Sequence, residues 1–589
     1  MTNFRINTPH AAVIIWNYKD RIGMPVGGNF DSGVKDIDGI EAENEAHPYI
    51  ISTLSCVSIQ TSKSKNSPDG QFNLVLAPYK NWVSTISAGS WCAILMSNEP
   101  ITESDLKKAN PKMIKMLGRI ESVRCDTKVD ANGARQTLYY VSGVDWANIF
   151  NSLLYVDNLI AGPSEPLTQG NTVAIALRNM LFGKDNTPQS FAVKKNLENI
   201  LSIMGKSLPF SKVENDIGRL ANAVYEFELP SALLNYFNFK DISGKTINSN
   251  KSLNRMLTLK TGRLKAQNDY DGYVESLGFI DPFTLQGTHS LWQILLENSN
   301  NAVNEMFTEF NWIDDKGKDN GLQLCLYNRI RPFCYKGFGQ KGLKLGDIQS
   351  YFQLVKYHDI DPVTVISVNV GTNWRDKFNF IEIKPQFQEF QVVANWFKQK
   401  SQVCDKNSFN REGFRALILD TKQFPSNGDG GLAKDAGIAW NKLEVWARTM
   451  REWYFNTHRM LNGTLTMTGS TEYIAVGNNV RFPIDLINPT TNIKKDTIKG
   501  SKQHYVLAHI ESVNHSFSVQ PSGARNYITT IQFVRGIIVD GSNVLVEEGV
   551  LDQMIDGENA LQPSEDKNTK NVISQSDMSD PDSNRTRRK

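Results

Sequence analysis

The sequence predicts an α+β protein in which two related β-barrel or sandwich domains are separated by a helical insertion and an α/β middle region. Three observations predict it. Residues 50–150 and 440–547 carry runs of alternating or β-branched residues cut by Pro, Asp and Gly. Between them the apolar spacing changes to three and four. A stretch of the first β region also recurs in the second.

The elements follow in order. Residues 1–49 read as an arm with one strand-like segment, AAVIIW (residues 11–16), and a Gly- and Asp-rich loop. In 50–150, "YIISTLSCVSIQTS", "GQFNLVLAPY", "GSWCAILMSN", "MLGRIESVRCDTKV" and "ARQTLYYVSGVDW" read as strands of a small sandwich or barrel. Residues 151–287 form the helical insertion, with "TVAIALRNMLFG", "VKKNLENILSIMG" and "VENDIGRLANAVYEF". In the α/β stretch 288–439, "SLWQILLENSNNAVNEMFTEF" reads as a helix, and "GLQLCLYNRIRPF" and "VTVISVNVG" as strands. A helix over Trp440–Met460, with Leu443, Ala447, Met450 and Tyr454 on one stripe, leads into the second β region. The tail 548–589 lacks aromatic residues and periodicity and is expected to be disordered.

The recurrence is gapless. Leu117–Arg135, LGRIESVRCDTKVDANGAR, and Leu507–Arg525, LAHIESVNHSFSVQPSGAR, match at nine of 19 positions at a constant offset of 390. A glycine that opens another strand precedes each copy, Gly89 and Gly477. The shared residues Ile120, Glu121, Ser122, Val123, Gly133 and Arg135, and Ile510, Glu511, Ser512, Val513, Gly523 and Arg525, are read as strand and turn positions rather than a ligand site. In each copy IESV is an alternating strand, and Gly133 and Gly523 occupy turns that need positive φ. Glu121 and Glu511 are expected to be outward or subunit-facing strand residues rather than paired catalytic acids.

Composition bounds function. The 589 residues, 66.3 kDa, suit about four domains. Apolar residues at 40% and charged residues at 21% are those of a globular chain, and 64 basic against 62 acidic residues give a net charge of +2, which disfavours non-specific polyanion binding. Six scattered cysteines without a C-x-x-C pair predict reduced, packed thiols in a reducing cytosol. No apolar run near the N-terminus is long enough to span a membrane, and none has the flanks of a signal peptide.

Motifs for catalysis are missing. There is no H-E-x-x-H, and His504, His509 and His515 lack metal-ligand spacing, so His509 and His515 are expected to be ordinary strand surface. "NGDGGLAKDAG" lacks the GK[ST] ending of a phosphate cradle and reads as a flexible loop. "DDKGKDNG" (residues 314–321) places Leu326 where a calcium loop needs glutamate and reads as a polar turn. No G-x-S-x-G elbow is present. No cofactor, no metal and no enzymatic activity are expected.

"GQFNLVLAPYKNWVSTISAGSWCAILMSN" resembles the first tube-type β domain of central baseplate hub proteins of contractile-tailed bacteriophages, and the long helix running into "NGTLTMTGSTEYIAVGNNVRF" is similar to the start of their second such domain. The likeness covers about residues 50–150 and 290–545, while the helical stretch 151–287 departs from the smallest hubs. It implies a homotrimer in the virion tail, made in the host cytoplasm. Three chains would present six similar units to a hexameric tail tube, and a threefold face to the spike, among surrounding baseplate proteins. Genome DNA would pass through without specific binding, and the chain would not insert in a membrane. A tail-associated cell-wall hydrolase and a host receptor-binding tail protein are the alternatives.

Overall fold

The computed structural model describes residues 8–16, 49–107, 112–129, 133, 135–152, 154–156, 231–240, 246–247, 257–261, 288–290, 292–293, 296, 304–314, 319–332, 355–385, 402–421, 451, 453–455, 457–487 and 504–543. The three helices expected in 151–287, most of the helix 440–460, the loop around Gly428 and the tail 548–589 lie outside the described residues.

The apolar runs become strands buried on both faces. Strand β1 (His10–Trp16) pairs antiparallel with β2 (Tyr49–Ile51) on one side and with β5 (Trp91–Ser97) on the other. Alternate residues of β1 and β5 feed two cores: Val13, Ile15, Cys92 and Ile94 point one way, Ile14, Trp16, Trp91 and Leu95 the other. Around them run β3 (Cys56–Ser64), β4 (Gln71–Leu76), β6 (Ile114–Val129) and β7 (Arg135–Asp145). The resulting order β3-β4-β7-β6-β5 forms a first unit.

Short strands β8 (Leu154–Val156) and β10 (Thr288–Ser290) pair with each other, and β9 (Leu257–Thr261) lies parallel to β12 (Asp319–Ile330). The hairpin of β11 (Asn304–Asp314) and β12 (Asp319–Ile330) brackets the DDKGKDNG segment, with Ile313 opposite Gly321. The helix expected over residues 290–310 is therefore a strand from Asn304 onward. Its glutamates, four apart, mimic the wet face of a helix. In the strand Glu305 and Glu309 are both buried, and Met306 and Phe310 enter the core on the opposite face, beside the short helix Ser231–Phe237.

Strands β13 (Tyr357–Asp359), β14 (Val365–Gly371), β18 (Leu461–Thr468), β19 (Asn479–Pro483), β20 (Tyr505–Val519) and β21 (Arg525–Val539) make a second unit. Between β14 and β18 a separate three-stranded sheet, β15 (Phe380–Pro385), β16 (Gln402–Cys404) and β17 (Ala416–Thr421), carries the helix Lys406–Glu412.

Neither unit closes as a barrel, which with a sandwich is one of the two forms expected from the sequence. The described strands join instead into one open 13-stranded sheet, ordered β14-β18-β21-β20-β3-β4-β7-β6-β5-β1-β2, with β19 and β13 attached to β20. The reason is the length of β20: its first half pairs with β19, while Ser512–Ser518 pair with β3 of the first unit. The edge that closure would have used is occupied by a neighbour.

Candidate assembly surface: the duplicated hairpins

The two units match pairing by pairing. In β6–β7, Ile120 opposes Gly143 and Ser122 opposes Ser142, leaving Glu121 in a β-bulge; in β20–β21, Ile510 opposes Phe533 and Ser512 opposes Gln532, leaving Glu511 in the same bulge. Val123 faces Val141 as Val513 faces Ile531, and Val129–Arg135 closes the first hairpin as Val519–Arg525 closes the second. At the turns Gly133 and Gly523 have φ of +78° and +80°, a left-handed geometry that glycine adopts without a Cβ penalty. The Gly89 N–H donates to the Ile120 carbonyl at 2.7 Å, and the Gly477 N–H to that of Ile510 at 3.0 Å. Ser122 Oγ meets Ser142 Oγ at 2.7 Å, and Ser512 Oγ donates to Gln532 Oε1 at 2.8 Å.

The duplication reaches further than the sequence similarity. Strand β3 pairs with β4 through a bulge between Cys56 and Ser58, and β14 pairs with β18 through a bulge between Val365 and Ser367. A 3₁₀ turn precedes each, Thr53–Ser55 and Pro362–Thr364. Thus β3 corresponds to β14 and β4 to β18. The sheet of β15–β17 is inserted where the first unit has only its tight β3–β4 connection.

The surroundings of equivalent positions differ. Glu121 is exposed, whereas Glu511 sits in the seam and accepts a hydrogen bond from Lys65, the residue that follows β3, at 2.8 Å. Arg135 is exposed; the Arg525 guanidinium reaches the Pro9 carbonyl at 3.5 Å. Phe517 and Tyr527 are buried in the core of the first unit, while their counterparts Thr127 and Thr137 meet each other at 3.1 Å in solvent.

A buried ionic network fastens the seam. Lys65 Nζ lies 2.7 Å from Glu305 Oε2, and Glu305 also accepts from Arg329 Nε at 2.9 Å and lies 3.3 Å from His509 Nε2. Lys63 Nζ is 2.5 Å from Asp145 Oδ2 and 3.6 Å from Glu309 Oε1. Desolvation opposes the Glu305 charge, but the Lys65 and Arg329 cations overcome it and hold its pKa well below the carboxylate range. Burial, reinforced by Lys65, pushes His509 down to about 3, so its ring is neutral at pH 7. Burial raises the pKa of Asp145 and Glu309 despite Lys63. Lys115 of β6 adds a second clamp, donating to the carbonyls of Thr471 at 3.0 Å and Glu472 at 2.9 Å.

These groups escaped the sequence reading. His509 and His515 are buried rather than strand surface; His515 Nδ1 lies 3.0 Å from Thr529 Oγ1. The available signal was alternation: Lys63 and Lys65 in TSKSK, and Glu305 and Glu309, each share a strand face. The cysteines are not uniformly packed either. Cys56, Cys92 and Cys325 are buried, with burial pushing the Cys56 thiol up to about 12, whereas Cys125 is exposed on β6. Among the described residues no group of three or more His, Cys, Asp or Glu side chains could hold a metal ion, and no helix is long and apolar enough to cross a membrane.

These features define a class: a duplicated, edge-presenting β protein whose two copies share one sheet. No protein-family description and no curated protein matches the chain. Among solved structures it is similar to a tail protein of Neisseria meningitidis MC58, at 12% identity and a TM-score of 0.39, over 90% of this chain and 96% of that one. It is also similar to a prophage MuSo2 tail protein from Shewanella oneidensis, at 11% identity and a TM-score of 0.36, over 90% and 98%. A chain of the half-lidded Francisella PdpA–VgrG complex follows at 7% identity and a TM-score of 0.32, over 92% of this chain and 59% of that one. The structural neighbours thus include tail proteins.

Proposed function

We propose that this chain is a non-enzymatic structural protein of a phage tail: a homotrimeric baseplate hub that adapts a hexameric tail tube to a trimeric central spike. In this reading, baseplate proteins surround the ring, and genome DNA passes through its channel without specific binding. The class rests on the sequence resemblance described above. The single observation that carries the reading is the duplication, in which bulge, turn and glycine contacts recur in two units of one chain. A sixfold partner is matched by a threefold one when each protomer carries the binding surface twice.

The chemistry of the chain suits this role. Among the described residues the densest set of ionisable groups lies buried between strands, where it ties elements together. The test is the mass of the purified protein in solution, together with electron-microscope images. A trimer imaged as a ring of six similar lobes is the expected result. A stable monomer, or a ring with another number of chains, would overturn the reading. A peptidoglycan-degradation assay tests the non-enzymatic part, since release of muropeptides would replace it with a hydrolase.

A further inference from the structure

We infer that copies of this chain join edge to edge, β14 of one against the distal half of β6 of the next, in the register that β3 and β20 use within the chain. This deepens the hub reading and rests on it, by naming the surfaces through which copies meet.

The chain contains the template. Within it, the outer edge of β3 pairs antiparallel with Ser512–Ser518 of β20, the distal half of the second hairpin. The structural counterpart of β3 is β14, and that of the distal β20 segment is Ser122–Lys128 of β6. Among the described residues both counterparts are paired on one side only: β14 with β18, and distal β6 with β7. Among the described residues each chain therefore presents one unused half of the seam at either side of its sheet, complementary to the other half. Such a head-to-tail contact leaves the same two edges open at the ends of any unclosed assembly, so it continues until a ring closes.

The composition of β14 argues that its edge is covered. Sheet edges left in water are blunted by charge, by proline or by shortness. Val365–Gly371, VISVNVG, has no charged residue and no proline, and Ile366 is 56% exposed. Alone, such a strand invites uncontrolled pairing. A second copy offering distal β6, where Arg124, Asp126 and Lys128 sit, gives it a matched partner with its own charges.

The register follows from the internal seam. Ser518 opposite Ser58, Phe517 opposite Ile59 and His515 opposite Thr61 translate to Lys128 opposite Ser367, Thr127 opposite Val368 and Cys125 opposite Val370. The contact between copies is weaker than the internal one, because Thr127 and Thr137 stand where Phe517 and Tyr527 fill a core. Backbone hydrogen bonds carry it, and each chain folds before it assembles.

Cys125 makes the register measurable, because it is exposed and would face position 370 of the next copy. The experiment treats full-length Val370→Cys with a short bis-maleimide, beside the wild type and Asn369→Cys, whose side chain would emerge on the other face of β14. A second pair, Lys128→Cys with Ser367→Cys in a Cys125→Ser background, tests the same register at exposed positions that tolerate change. Native mass is recorded in parallel. A ladder of covalent dimer and trimer, several-fold stronger in Val370→Cys than in either control and reproduced by the second pair, is the expected result. A trimer in solution without these cross-links overturns the seam and leaves the hub reading standing. Cross-links that extend past three copies uphold the seam and overturn the trimer. A monomer without cross-links overturns both.

Discussion

The hairpins β6–β7 and β20–β21 have the same turn, the same bulge and the same glycine contact, yet at corresponding positions one is dry and the other wet. Ser512, Val513, His515 and Phe517 are buried, whereas Ser122 and Val123 are half-buried and Cys125 and Thr127 exposed. Local sequence sets the geometry of a hairpin; the neighbour along its edge sets the burial. A long hairpin without a third strand is marginal in water. The first hairpin therefore keeps its shape through β4, β5 and the core at its base, and among the described residues its distal half has an open edge.

The largest effect on this contrast is expected from Glu305, whose carboxylate gathers Lys65, Arg329 and His509 at the root of the dry hairpin. Glu305→Leu leaves buried cations without their counter-charge and should cost about 3–5 kcal/mol. Urea unfolding measures the loss, and amide exchange locates it. Ser512–Ser518 should lose protection until they resemble Ser122–Lys128, while the amides of β5 keep theirs. Equal loosening of both hairpins would show that the network holds the whole sheet rather than the seam.

Acid acts on the same network. Burial holds His509 at about 3 against an ordinary 6.5, and His358 at about 4. In both cases the folded-state pKa is depressed, so below pH 6.5 the unfolded chain takes up protons that the folded one refuses. The histidine contribution to stability should fall as pH drops from about 6.5 toward 4, offset in part by Asp145 and Glu309, whose folded-state pKa is raised. Glu305, with its pKa also depressed, adds to the loss within the carboxylate range. The check is the urea midpoint between pH 7 and pH 4.5. Replacing His509 with Gln should flatten the upper part of that slope, and an unchanged slope would remove His509 from the account.

The turn glycines give a smaller and more symmetrical effect. At both Gly133 and Gly523 an added Cβ would meet nothing within 4 Å, so the cost of a side chain is purely that of positive φ. Gly133→Val and Gly523→Val should each lose about 1–2 kcal/mol. Thermal unfolding of the two variants tests whether the hairpins are equivalent. A much larger loss at Gly523 would mean that the seam, rather than the turn, depends on that residue.

The parts of this architecture that were legible in the sequence are those written in local alternation. AAVIIW and WCAILM read as strands because both faces are apolar, and LGRIESV against LAHIESV exposed the paired hairpins. The correspondence of β3 with β14 was not legible. CVSIQTS and VISVNVG share one identity, at Ser58 and Ser367, and the sheet of β15–β17 separates β14 from the strand it pairs with. The ionic network was hidden for another reason. In EMFTEF the glutamates look solvated, and only long-range pairing places Glu305 beside Lys65. An open sheet instead of closed barrels has the same origin, since closure depends on which edge β20 finds.

The smallest expected effect is the most direct test of equivalence. Ser122 and Ser512 follow the bulge in each hairpin, and each bonds across to the partner strand, Ser142 and Gln532 respectively. Removing one such bond costs about 0.5–1.5 kcal/mol, with the higher figure where water cannot replace the lost partner. Ser512 is buried, but Gln532 is exposed and its amide can turn to water, so Ser512→Ala should cost about 1 kcal/mol. Ser122→Ala opens onto solvent at the unpaired edge and should lie near 0.5 kcal/mol in the isolated chain. If the next copy covers that edge, the Ser122→Ala loss should grow on assembly until it approaches that of Ser512→Ala. Denaturation at low and high protein concentration reads the change, and a loss independent of concentration would leave the first hairpin wet in the assembly as well.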